Sequence, residues 1–322
     1  MKQLLGNLIS RIRQPKPGFE LLEDVLVSAH LQAAFVEQTE NVSSQSVLRW
    51  DEFGHGSALD PTYLPPGQVR GWDQAGYEYA GSLIDIPEIR AMGQTWSEVS
   101  QFDISEVSGL TGSKGDLSKY RTLDAFAIDR CQDKISELSP EKLQINLAHN
   151  EIRILQDEPG DFFMRFLWDE RLWLCNAGGS HHFAAARHIA IRIGCKVPIT
   201  GRLVTQAINP VAVEGLGLRF RAFLVSSEAR ALGLFKNTLR TLQVPYYTLP
   251  KDTQQPQGRV ILFPTADEHS LQAAQLLDKH GFVDVVSMLQ SIVAQQTLVG
   301  ERLKTLKQPP HEVEGLQAHR AQ

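Results

Sequence analysis

Two histidines, His181 and His182, stand directly after Gly178-Gly179-Ser180 at the head of an alanine-rich stretch. Imidazoles change charge near neutrality, so a pair of them behind two glycines and a hydroxyl is suited to meeting an anion and moving a proton. Gly178 and Gly179 allow positive φ or close approach of backbone to a ligand. Ser180 can cap a helix or donate to an oxyanion. Arg187 and His188 follow one to two helical turns on.

The elements that must hold these groups read clearly. Leu172-Trp-Leu-Cys175 is apolar and strand-like, and Asn176-Ala-Gly-Gly-Ser180 is a glycine-bearing turn. Residues 183–193 have helical character with Gly194 placed to end it, and 197–205 reads as a second strand. A strand, glycine turn, helix, strand unit opens its helix with free N–H groups and the positive end of the dipole, which suits phosphate.

Other groups could complete such a site. Glu151 and Asp169 are the carboxylates that would bind Mg²⁺ if they reach the turn, and Arg153 and Arg202 are strand-borne cations for a phosphate pocket. A metal held by histidines is disfavoured: His181 and His182 point about 100° apart on a helix, and no His-Glu-x-x-His spacing occurs. Gly-x-Ser-x-Gly is absent, which argues against a serine-hydrolase elbow. Thr111-Gly-Ser-Lys-Gly115 looks like a phosphate loop but lacks the Walker spacing, and is read as a flexible connector. His55, between two glycines, is read as a turn histidine.

The motif Gly179-Ser180-His181-His182-Phe183-Ala184-Ala185-Ala186-Arg187, continued through Gly194 into the strand, resembles the ParB/sulfiredoxin-like superfamily over roughly residues 144–205. That resemblance implies a nucleotide site binding CTP or ATP with Mg²⁺, in which Gly178, Gly179, Ser180, His181 and His182 contact phosphates. Members of that superfamily include partition-protein CTPases, sulfinic-acid reductases, a free-serine kinase and nucleases. Arg often stands in that family where this chain has His182, and an acidic residue where it has Ser180. A neutral imidazole is a weaker phosphate partner than a guanidinium fork, so binding here would be weaker or pH-dependent. The arginine-rich box and helix-turn-helix of partition proteins are not evident.

The 322 residues carry a formal net charge of −5, with 42% hydrophobic and 21% charged residues, as in an ordinary globular chain with ample core. That charge lends no support to avid non-specific binding of nucleic acid. Cys131, Cys175 and Cys195 lack a CxxC spacing, so a disulfide scaffold or zinc knot is not expected. Cys175 and Cys195 are read as core residues in a reducing, cytoplasmic compartment. No apolar run is long enough to span a bilayer. Leu4, Leu5, Leu8, Ile9 and Ile12 would share one face of an amphipathic first helix, without the pattern of a signal peptide.

Along the rest of the chain the spacing predicts helices over 20–37, 123–138, 227–242, 267–280 and 283–306, with Pro140 opening a short helical turn. Strands are expected within 144–155 and over 162–167, 219–225 and 260–263, and residues 41–115 read as turn-rich loops. The last helix has apolar residues at Val285, Leu289, Ile292, Val299, Leu303 and Leu306 in four-three alternation, broken by Gln296; this face either packs on the chain or forms a homodimer seam.

The expected architecture is α/β to α+β: a mixed-sheet core over 121–265, a helical and turn-rich extension over 1–120, a helical segment over 266–307, and a polar tail over 308–322. The expected function is a phosphate- or nucleotide-binding protein with phosphoryl-transfer or NTP-hydrolysing activity centred on Gly178–His182. The alternatives are a non-catalytic binding protein retaining the fold, and a ParB-like nuclease.

Overall fold

A computed structural model describes residues 18–35, 37–56, 63–155, 160–250 and 257–307, the last four of these without their side chains. The amphipathic stretch over residues 1–13 and the tail over 308–322 lie outside the described residues. In chain order the elements are α1 (Glu20–Ser28), β1 (Gln68–Ala75), β2 (Glu78–Asp85), α2 (Pro87–Arg90), β3 (Gly93–Asp103), β4 (Val107–Leu110), α3 (Leu123–Arg130) and α4 (Pro140–Leu147). They continue with β5 (Phe162–Phe166), β6 (Leu172–Cys175), α5 (Ser180–Ile193), β7 (Pro198–Ile208), α6 (Pro210–Arg219), β8 (Phe220–Ser226) and α7 (Ala229–Thr241). The last are β9 (Tyr246–Thr248), β10 (Gly258–Pro264), α8 (Glu268–Lys279), β11 (Val283–Asp284) and α9 (Val285–Lys307).

The strands form two sheets. One is antiparallel, in the order β11-β8-β10-β9-β1-β2; the other is mixed, in the order β3-β7-β5-β6-β4, with β5·β7 and β4·β6 parallel. The fold class is therefore α+β with a mixed sheet at the candidate site.

Side-chain alternation along the strands assigns the layers. In β6, Leu172 and Leu174 face a core built with Phe126, Leu143, Phe183 and Ile189 of α3, α4 and α5. Trp173 between them faces a second core shared with Leu224, Leu262 and Leu289. In β10, Val260 and Leu262 join that second core, while Ile261 and Phe263 turn to a third with α1, α7 and α8. Helices thus cover the outer faces, and the two sheets share the layer between them. α6 and α9 also belong to this middle layer.

Several expectations need correction. The predicted helix over 20–37 ends at Ser28, and that over 123–138 ends at Arg130. Residues 144–147, expected as strand, are the last turn of α4, capped by Ser139 Oγ with Pro140 in its first turn. Residues 153–155 form one 3₁₀ turn. The supposed loop region 41–115 contains β1 to β4, and β3 and β4 are strands of the mixed sheet itself, so the expected boundary near 120 does not separate an extension from a core. Nor does the boundary near 265, since β11 pairs with β8 and α9 packs in the middle layer.

The face of α9 proposed as a dimer seam is occupied within the chain. Val285 and Leu289 are fully buried in the middle core, and buried Gln296 exchanges hydrogen bonds with Ile208 at the end of β7: Ile208 N donates to Oε1 at 2.9 Å and Nε2 donates to Ile208 O at 2.5 Å. The polar break in the heptad thus satisfies a buried backbone pair that no strand partner takes. Cys131 and Cys175 are buried free thiols, burial pushing them up to about 11 and about 12, whereas Cys195 is exposed and not a core residue. Among the described residues no helix is long and apolar enough to cross a membrane.

Candidate functional site

The turn after β6 is built as its glycines require. Gly179 sits at φ 68°, and a Cβ there would lie 2.8 Å from the carbonyl carbon and oxygen of Glu151. Only glycine fits both the left-handed conformation and that close approach. Gly194 at φ 68° ends α5 as its position suggested. No side chain caps the N-terminus of this 14-residue helix. Its first N–H groups therefore lack a side-chain acceptor, apart from Gly179 N, which donates to Glu151 Oε2 at 3.3 Å.

Asn176 locks the turn to the loop after β4. Its Nδ2 donates to Gly112 O at 3.0 Å and to Gly178 O at 2.9 Å, and its Oδ1 accepts from Gly112 N at 3.3 Å. Ser180 Oγ donates to Ser113 Oγ at 3.1 Å. The Gly112-Ser113-Lys114 stretch, read from sequence as a connector, is thereby one wall of the site. A cavity of about 590 Å³ opens between the two loops, lined by Ser113, Lys114, Lys134, His149, Glu151 and the Gly178–His182 turn.

The histidines are fixed in distinct ways. His182 stacks on His149 with centroids 3.6 Å apart and planes 13° from parallel. Its Nδ1 lies 3.1 Å from Asn146 Oδ1. Asn146 Nδ2 is committed to the carbonyls of Lys134 at 2.9 Å and Lys142 at 3.0 Å, which fixes Oδ1 toward His182. The shared proton therefore sits on His182 Nδ1, and Nε2 carries the lone pair. Burial, followed by His149 and Lys134, pushes His182 down to about 4. His181 packs on Phe126, ring centroids 5.2 Å apart, and is also lowered, by burial and then by Lys134, Arg130 and Lys114. Both imidazoles are neutral at pH 7, so the fixed positive charge at the cavity comes from Lys114 and Lys134. Lys134 Nζ is also 2.8 Å from Asp133 Oδ2.

The structure gathers Gly178, Gly179, Ser180, His181, His182 and Glu151 at one cavity, and leaves the other expected residues elsewhere. Arg187 donates to the carbonyls of Val107 at 2.8 Å and Ser105 at 2.9 Å, pinning α5 to the mixed sheet's edge. Arg202 lies over the Phe162 ring at 4.8 Å. Arg153 does not line the cavity; its Nη1 lies 3.5 Å from where a Cβ on Gly160 would stand. Asp169 is held by Arg171 Nε and Nη2 at 3.0 and 2.8 Å and by Trp173 Nε1 at 3.0 Å. It is a buried structural carboxylate, so of the two carboxylates expected as candidate Mg²⁺ ligands Glu151 reaches the turn and Asp169 does not. Among the described residues no three of His, Cys, Asp and Glu come together as metal ligands, so the side chains present do not fit a magnesium ion held by the chain alone.

Lys134 and His149 were missed by sequence reasoning. Lys134 follows the early end of α3, where a continuous helix was expected, and His149 lay between two expected strands. The phosphate-loop likeness of Thr111-Gly-Ser-Lys-Gly115 was the available signal for Lys114.

No curated protein and no solved structure matches the chain. One family does, over residues 97–301, a span that takes in well over half of the chain and every residue lining this cavity; the chain belongs to that family, DUF6685, a family of unknown function.

Proposed function

We propose that the cavity binds a phosphate-bearing ligand, a nucleoside triphosphate such as CTP or ATP, and acts on it by phosphoryl transfer or hydrolysis. The observation that carries this reading is the convergence of Lys114 and Lys134 on the uncapped N-terminus of α5. Backbone N–H groups, the positive helix end and two ammonium groups then face the same space. The ParB/sulfiredoxin-like relationship belongs to this proposal; it rests on the Gly179–Arg187 motif and on the mixed sheet that flanks α5.

In this reading the N–H groups of Ser180, His181 and His182 bind phosphate oxygens while Lys114 and Lys134 balance their charge. His182 Nε2, neutral and held by Asn146, accepts a proton from the attacking hydroxyl or water. Glu151 occupies Gly179 N–H, so an incoming phosphate engages the next three amides or displaces it. A non-catalytic phosphate sensor is the second reading. It is favoured by Glu151 being the one carboxylate among the residues lining the cavity, which leaves few groups for a metal-assisted step. A nuclease has no observation of its own in its favour.

Calorimetric titration with CTP, ATP and pyrophosphate, with and without Mg²⁺, tests binding. Lys114→Ala and Lys134→Ala should each weaken it about tenfold, as loss of one charge-assisted contact does. A hydrolysis assay then separates the two readings. Turnover lost in His182→Ala with affinity retained supports catalysis, and binding without turnover in the wild type supports the sensor. Absence of binding at millimolar ligand overturns both.

A further inference from the structure

The turn after α4 brings two residues onto His182. Asn146 and His149 are three positions apart, and the chain closes tightly around them. His149 N donates to Asn146 O at 3.3 Å, and Ile152 N donates to His149 O at 3.0 Å. Asn146 meets His182 at Nδ1, and His149 lies against its ring. Asn146 sets the tautomer of the base. Packing alone would account for a flat ring at His149.

Packing does not account for how that ring is held. Its Nδ1 accepts the backbone N–H of Glu151 at 3.3 Å. A ring nitrogen that accepts a hydrogen bond carries no proton, so in the neutral ring the proton stands on Nε2. His182 is held the other way, its proton on Nδ1 and its lone pair on Nε2. Two stacked imidazoles of opposite tautomer therefore line one cavity, one offering a donor and the other an acceptor. Neither Nε2 has a hydrogen-bond partner among the described residues, and neither is sealed from solvent. Glu151 adds a link: its N–H orients His149 and its Oε2 takes Gly179 N–H, so the ring is tied to the turn that opens α5.

The spacing of the rings selects what the pair can serve. In an in-line displacement the attacking and leaving oxygens stand on opposite sides of phosphorus, with the non-bridging oxygens between them. Rings with centroids 3.6 Å apart suit two adjacent oxygens, not the two opposite ones. With His182 at the attacking oxygen, His149 falls beside a non-bridging one.

Within the phosphoryl-transfer reading above, on which this rests, we propose that His149 is a second catalytic residue: its Nε2–H donates to a non-bridging oxygen of the transferring phosphoryl group. The nucleophile's oxygen bonds to phosphorus and gives its proton to His182 Nε2. The bridging P–O bond breaks, and its electron pair leaves with the departing oxygen. His149 keeps its proton throughout and meets the charge on the non-bridging oxygens.

Steady-state hydrolysis of ATP and CTP, each beside its γ-thio analogue, tests this in wild type, His149→Phe and His149→Gln. Phenylalanine keeps the stack and removes the donor; glutamine restores an N–H near the place of Nε2. Rates are read at pH 8, above the ordinary histidine range, so that His182 is unprotonated in all three chains. His149→Phe should lower kcat about a hundredfold with KM within about threefold of wild type, as loss of a transition-state donor does. His149→Gln should recover about tenfold of that loss. Sulfur accepts hydrogen bonds poorly, so the thio analogue should slow the wild type more than His149→Phe. Pyrophosphate affinity, by calorimetry, should stay within about threefold of wild type in both variants, since the amides and lysines that bind phosphate are untouched. Equal kcat in wild type and His149→Phe, a loss that glutamine does not restore, or a thio effect of the same size in both overturns the assignment of His149 alone. A wild-type chain that binds pyrophosphate without turnover, or binds no phosphate ligand, overturns the phosphoryl-transfer reading together with it.

Discussion

At the scale of single residues, His182 owes its character to three neighbours rather than to its place in the sequence. Asn146 fixes the tautomer, His149 stacks on the ring, and burial removes the water that would stabilise its charge. Replacing His149 with phenylalanine keeps a flat ring against His182 and removes the second imidazole. The His182 pKa should then rise from about 4 toward its ordinary value. A proton-NMR titration of its ring resonances checks this, and an unchanged midpoint would show that His149 contributes packing alone. Gly179→Ala should cost roughly 1–3 kcal/mol from the left-handed φ alone, with the clash against Glu151 added to it. Urea unfolding reads that loss. The glycines and histidines of the turn were legible because their chemistry is local. The fates of Arg187 and Asp169 were not: Arg187 is decided by the distant Ser105 and Val107 carbonyls, and Asp169 by how the turn between β5 and β6 folds, which brings the Arg171 guanidinium and Trp173 Nε1 onto it.

Among elements, β6, the turn, α5 and β7 could be read because apolar run, glycine punctuation and helix period agree within one short stretch. β1, β2 and β3 were hidden for the opposite reason. β1 and β2 carry Gly71, Asp73 and Gly81, β2 is an edge strand, and β3 buries mainly Phe102. β3 exists through its ladder with β7 about a hundred residues away, which no local pattern announces. Residues 144–147 misled because Ile145 and Leu147 alternate like a strand, yet Ile145 is 64% exposed on a helix set by Ser139 and Pro140. α9 supplies a test at this scale. Gln296→Leu leaves Ile208 N–H and C=O unpartnered in a buried place, a loss of about 1–3 kcal/mol for each group. The expected result is a lower urea midpoint with an unchanged elution volume. A change in association state instead would restore the dimer-seam reading.

For the whole molecule, the two sheets share one middle layer, so strands from both ends of the chain hold the site in place. Its stability should depend on pH in a defined sense. His181 and His182 have lowered pKa values in the folded chain, and the unfolded chain binds their protons near pH 6.5. Between that pH and about 4 the unfolded state holds more protons, so stability is full above the unfolded value and falls as pH drops through this window. Glu23, Asp103, Asp116, Asp133 and Glu228, all lowered in the folded state, add a further loss at more acidic pH. His182→Gln should narrow the difference between urea midpoints at pH 7 and pH 5, and an equal difference in variant and wild type would assign that loss elsewhere.

The claim that phosphate sits on the first turn of α5 is tested most directly at the amides themselves. Titrating the isotope-labelled chain with pyrophosphate, and then with CTP and ATP, while following the backbone N–H resonances of Ser180, His181 and His182 reads the contact without relying on turnover. Saturable downfield shifts of those amides, lost in Lys114→Ala, are the predicted result. Resonances that stay in place at millimolar ligand would contradict it.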